Sequence, residues 1–114
     1  MDDRVKKWLF DVQKAILEIE FFLEGRERVF SVYQKDLLLK RAIERELEII
    51  GEAMNRISKV DEKLTDQIAD ARNIIGLRNQ VIHAYDNISD ENIWAIVINH
   101  LPTLKADVTK LLNS

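Results

Sequence analysis

Apolar residues recur at spacings of three and four in four separate stretches of this chain. Val5, Trp8, Val12, Ile16, Ile19 and Leu23 trace the first stripe, the mark of an amphipathic helix that buries one face. It predicts a helix over about residues 2–24, closed by Gly25, which can take the positive φ of a helix C-terminus. Arg26-Glu27-Arg28 then reads as a solvated connection. Ile43, Leu47, Ile50, Met54 and Ile57 form the second stripe, on a helix from about Ser31 to Ile57 with Asp36/Lys40 and Glu52/Arg56 as i,i+4 pairs outside. The third helix follows the polar stretch Ser58 to Lys63, capped by Asp61 or Thr65. It carries Leu64, Ile68, Ala71, Ile75 and Ile82 and ends near Tyr85. Ser89 with Asp90 and Glu91 starts the fourth, since the two acids suit the positive end of a helix dipole. Trp94, Val97, Leu101, Leu104, Val108 and Leu111 are its seam, and Pro102 removes one backbone hydrogen bond and is expected to kink it.

Four such helices joined by short polar connections predict an all-α fold, an antiparallel up-and-down four-helix bundle, as one domain over residues 1–114. Three glycines and one proline in 114 residues are too few turn-formers for a sandwich or barrel, and a hydrophobic fraction of 46% supplies a core. The absence of cysteine removes disulfides and thiolate metal sites and fits a reducing compartment, so the cytoplasm is the expected location. The longest uncharged run, Asn92 to Leu104, is thirteen residues, well short of the ~20 that span a bilayer, so no membrane association is expected. Met1-Asp2-Asp3-Arg4, with Lys6 and Lys7 close behind and no small-residue cleavage site, does not read as a signal peptide. A net charge of −3 excludes a protein that grips nucleic acid by overall positive charge. Any RNA contact has to be local, on a small area such as Arg72, Arg78 and Lys6 or Lys7.

One segment breaks its own pattern. Between Gly76 and Tyr85, Arg78 falls near the middle of the arc that holds Ala71, Ile74 and Ile82, where an apolar residue belongs. An arginine there must pair with an acid, reach a subunit interface or face an anion-binding site, because an unpaired buried charge is costly. Asn79 and His83 share a face at i and i+4, whereas His83 lies about 140° round the helix from Arg78. For both to act on one atom, the helix must bend or a second copy must complete the site, as a two-fold axis at this helix end would allow. His100, with no acid, cysteine or second histidine at ligand spacing, reads as structural, and no metal site is expected. Tyr33, Trp8 and Trp94 read as core or interface aromatics, and Gly51 and Gly76 as points where neighbouring helices approach closely. Phosphate-loop, serine-elbow and His-Glu-x-x-His signatures are absent from the sequence.

The run Arg78-Asn79-x-x-x-His83-x-Tyr85 resembles the Arg-x4-His-x-Tyr motif of the HEPN superfamily. With Ile49-Ile50-Gly51-Glu52-Ala53, Ile75-Gly76-Leu77 and Trp94 with Leu101-Pro102, nearly the whole chain is similar to the HepT-like toxins. The resemblance implies a metal-independent endoribonuclease without cofactor, working as a homodimer, the toxin of a prokaryotic type VII-like toxin–antitoxin module whose antitoxin is a minimal nucleotidyltransferase. It implies Arg78 and His83 as catalytic residues on an RNA substrate, Asn79 in support, and Tyr85 as the acceptor of AMP groups that silence the toxin. The chemistry suits the residues. An imidazole can serve as base or acid near neutral pH, and a guanidinium can stabilise charge developing on a phosphorane. The competing reading is a non-catalytic helical adaptor, or the substrate-binding subunit of a nucleotidyltransferase, with Arg78 as a docking or phosphate contact.

Overall fold

The computed structural model describes residues 1–83 and 89–114, with side chains given for 1–79 and 89–114. The first helix, α1 (Asp3–Leu23), starts where Asp2 accepts a hydrogen bond from the Arg4 amide at 2.7 Å. It stops at Glu24, and Gly25 follows at φ 75°, the left-handed conformation its position predicts. Among the described residues six further helices follow: α2 (Phe30–Lys35), α3 (Leu37–Val60), α4 (Glu62–Thr65), α5 (Ala71–His83), α6 (Asp90–Asn99) and α7 (Leu101–Leu112). The fold is all-helical, with no strand among the described residues. No helix described is long and apolar enough to cross a membrane.

Three of the four expected helices are divided. The second is cut at Asp36, whose extended backbone ends α2 and whose carboxylate accepts from the Leu39 amide at 3.0 Å to start α3. That bond, then burial and Arg26, set the Asp36 pKa, whose net displacement is below the ordinary carboxylate range. The expected pair Asp36/Lys40 does not form. Asp36 takes Arg26 at 2.6 Å, and Lys40 reaches across the chain to Asp90 at 3.0 Å. Asp61 caps α4 through the Leu64 amide at 3.0 Å, and α5 begins only at Ala71. The fourth expected helix resumes after His100, so Pro102 stands in the first turn of α7, where its missing N–H would have had no intrahelical acceptor.

α1 packs along α3, α3 along α5, and α7 returns against α1, while α2 touches α3 and α6. Val5, Val12, Ile16, Ile19 and Leu23 of α1 and Ile43, Leu47, Ile50, Met54 and Ile57 of α3 are buried as their spacing predicts. The phase shifts where helices break. Ile74 and Leu77 are buried on α5 where Ile75 was expected, and Ile93 is buried on α6 in place of half-buried Trp94. Ile82 lies outside the residues whose side chains are described. Trp94 instead stacks on the buried ring of Tyr33 at 4.9 Å and 25°, joining α6 to α2.

Candidate functional site

Arg78 sits on the third turn of α5, on the side that meets α3. Space for it comes from Gly51: a Cβ at position 51 would overlap Arg78 Cβ, lie 2.8 Å from Arg78 Cγ and 3.2 Å from the Ile74 carbonyl oxygen. The close approach expected at Gly51 is present. At Gly76 a Cβ would meet nothing within 4 Å, so the same expectation fails there, because Gly76 faces outward on α5.

With α3 and α5 this close, the Arg78 guanidinium reaches the Glu52 carboxylate, its Nη2 donating to Oε2. Its Nη1 donates to Asn79 Oδ1 at 2.8 Å. The side chain is 20% exposed, so the ion pair is screened only in part. Of the three fates open to an arginine at this position, pairing with an acid is realised. Glu52 Oε1 also accepts from Arg56 Nε at 3.2 Å, the i,i+4 pair that the sequence predicts. One carboxylate is thus shared by two guanidiniums. Arg78 Nε is buried and has no acceptor among the described residues. Beside Glu52 and Arg56, a cleft of about 240 Å³ lies between α1 and α3, with Trp8, Arg45 and Glu48 on its walls.

His83 is the last residue of α5, and its side chain lies outside those described, as does Tyr85 altogether. The convergence of Arg78 and His83, the bend or second copy that it requires, and the position of Tyr85 fall there too. With a net charge of −3, any RNA contact is expected on a local basic area such as Arg72, Arg78 and Lys6 or Lys7. Arg72 lies 3.5 Å from Asp66, Lys7 2.9 Å from Asp11, and Arg78 on Glu52, so these cations carry carboxylate partners instead of forming a bare patch. The Arg72–Asp66 and Lys7–Asp11 pairs are exposed and contribute little to stability, whereas Arg78–Glu52 is half-buried.

Glu52 is the residue that sequence reasoning missed. The helical pattern places it outward as the i,i+4 partner of Arg56, and nothing in that pattern tells which acid on α3 will face Arg78 on α5. The usable signal was its neighbour Gly51, which marks where α3 makes its close approach. His100 also gains a partner from outside its own helix, since its Nδ1 lies 2.9 Å from Asp70 Oδ1 at the entrance to α5. Its structural reading agrees with that contact.

The sequence matches the family described as Ribonuclease HepT-like over residues 12–111, a span that includes the whole Arg78 to Tyr85 run. It is 35% identical over 106 residues to a probable ribonuclease HepT of Thermococcus cleftensis, covering 93% of this chain and 94% of that one. A protein named a putative RNase from Caldanaerobacter subterraneus subsp. tengcongensis is 30% identical over 102 residues, 89% of this chain and 90% of its own. Another so designated, from Methanocaldococcus jannaschii, is 30% identical over 104 residues, 91% of this chain and 93% of its own. No solved structure gives a significant match.

Proposed function

The chain belongs to the HepT-like ribonuclease family, and from that premise we propose that it is a metal-independent endoribonuclease acting as the toxin of a toxin–antitoxin module. Its fold is read as four antiparallel helical arms, the second to fourth interrupted at Asp36, at Asp66 to Asp70 and at His100. The observation that carries the function is the placement of Arg78. It is a cation set into the α3–α5 contact with its guanidinium oriented by Glu52 and Asn79, inside the Arg-Asn-x-x-x-His-x-Tyr run.

In this reading His83 removes the proton from a ribose 2′-hydroxyl. The 2′-oxygen bonds to phosphorus, and the bond from phosphorus to the 5′-oxygen breaks. The departing oxygen takes a proton from an imidazolium, and the product is a 2′,3′-cyclic phosphate. Arg78 binds the phosphorane oxygens, where charge develops, and the planar fork of a guanidinium suits two of them better than an ammonium would. Asn79 orients Arg78 through its amide oxygen. A homodimer brings two copies of the motif into one cleft, so that one histidine acts as base and the other as acid. A minimal nucleotidyltransferase silences the site by transferring AMP from ATP to Tyr85: the phenolic oxygen bonds to the α-phosphorus and loses its proton, the α–β phosphoanhydride bond breaks and pyrophosphate leaves, and a nucleotide with its negative charge then competes with RNA for Arg78.

The test is incubation of the wild type, Arg78→Ala and His83→Ala with single-stranded RNA in the presence of a chelator. Cleavage by the wild type alone, with cyclic phosphate ends, is the expected result. Loss of wild-type cleavage on chelation would overturn the metal-independent mechanism. One observation favours the second reading, an adaptor or substrate-binding subunit of a nucleotidyltransferase: Arg78 already has a carboxylate partner, as a purely structural arginine would. That reading expects no cleavage under any condition.

A further inference from the structure

We propose that Glu52 is the positioning residue for Arg78, a one-point carboxylate tether that fixes the guanidinium plane and leaves one hydrogen on each Nη for an RNA phosphate. The inference rests on the ribonuclease reading above and adds a residue outside the Arg-x4-His-x-Tyr run.

The geometry is that of a tether. A carboxylate that served only to neutralise an arginine would take two parallel N–H bonds, commonly from Nε and Nη2. Glu52 instead takes Nη2 with one oxygen and gives the other to Arg56, while Arg78 Nε stays buried without an acceptor among the described residues. A buried unmatched donor costs stability, so this arrangement is not what packing alone selects. Of the five N–H bonds on Arg78, one goes to Glu52 and one to Asn79. One hydrogen on each Nη therefore remains, on a side chain still 20% exposed. Glu52 and Asn79 hold the two Nη atoms from different elements, α3 and α5, so the plane is set before substrate arrives.

Electrostatics make the role separable from simple attraction. Glu52 contributes a negative charge beside the phosphate-binding cation and so weakens ground-state attraction for RNA. What it supplies is orientation, which counts where charge develops in the transition state. Removing the charge while keeping the shape should therefore split the kinetic constants.

The experiment is steady-state cleavage of a short fluorogenic RNA by the full chain and by Glu52→Gln, with folding checked by circular dichroism. The expected result is a kcat about 10- to 100-fold lower with KM unchanged or lower. Glu52→Asp, which keeps the charge but withdraws it by one methylene, should also lose kcat and serves if Glu52→Gln fails to fold. A rise in kcat would make Glu52 an inhibitory lock, and unchanged constants would leave it without a role; either overturns the proposal. A parallel measurement needs no activity. Slow rotation of the Arg78 guanidinium, read from its side-chain nitrogen resonances, should be present in the wild type and lost in Glu52→Gln. If the wild type does not cut RNA, the ribonuclease reading falls by itself. The resonances then decide the tether, and unaltered rotation rejects it.

Discussion

Gly51 on α3 and Arg78 on α5 meet with no room for a methyl group between them. A Cβ on residue 51 would overlap the Arg78 Cβ and press on Cγ at 2.8 Å and on the Ile74 carbonyl oxygen at 3.2 Å. The crowded atoms lie at the root of the arginine and on the backbone, so rotating the guanidinium away gives no relief. Gly51→Ala must push α5 off α3 and should destabilise the fold by about 1–3 kcal/mol, read from denaturant unfolding at constant m-value. The displacement also separates Arg78 from Glu52, so RNA cleavage should fall further than the loss of folded protein explains.

Glu46 is buried on α3, with Glu18 of α1 facing it and Asp11, Lys14 and Ile49 round the same cleft. Burial, then the neighbouring carboxyl of Glu18, raise its pKa to about 7, with Arg45 and Lys14 opposing. Because the folded-state value lies above the unfolded one, its contribution to stability is complete below about pH 4.5 and is lost as pH rises through 7. Glu46→Gln should therefore stabilise the protein at pH 8 by about 1–3 kcal/mol, and the gain should vanish below pH 4.5. Thermal unfolding across that range measures it, and a gain that did not change with pH would contradict this account.

Asp70 and His100 join the entrance of α5 to the junction of α6 and α7 at 2.9 Å, with the Asp70 side chain only 13% exposed. Cutting this contact with His100→Ala should cost about 1 kcal/mol and lower the melting temperature. An identical melting temperature would show that packing alone holds the start of α5.

Tyr85→Phe removes the hydroxyl that would accept AMP and nothing else. The variant should cleave RNA at the wild-type rate, yet resist silencing when a cognate nucleotidyltransferase and ATP are added, with mass spectrometry showing no AMP on the chain. Silencing of the variant would place the control elsewhere.

Fold class and most of the core were legible in the chain because burial follows the helical period wherever a helix runs unbroken. Val5 to Leu23 and Ile43 to Ile57 show this, with only Trp8 shifted outward in favour of Leu9. Gly25, Ser89 and Asp61 were legible as local punctuation, since a cap acts within three residues of itself. Legibility failed at Asp36 and His100, where a pattern that reads as continuous is broken in the backbone. It failed again for Ile75, whose phase is lost once α4 and α5 separate.

By itself the sequence determined that the chain is helical, the apolar faces of the unbroken helices α1 and α3, and the run that carries Arg78, Asn79, His83 and Tyr85. Each of these depends on neighbours within about two turns. Only the tertiary structure decided that Arg78 meets Glu52, that Lys40 meets Asp90 and that Asp70 meets His100. Those partners are 26, 50 and 30 residues apart along the chain. Periodicity says which face of a helix is buried, but the choice of one carboxylate among several is made by how closely two helices approach, and at Arg78 a missing side chain on Gly51 sets that distance.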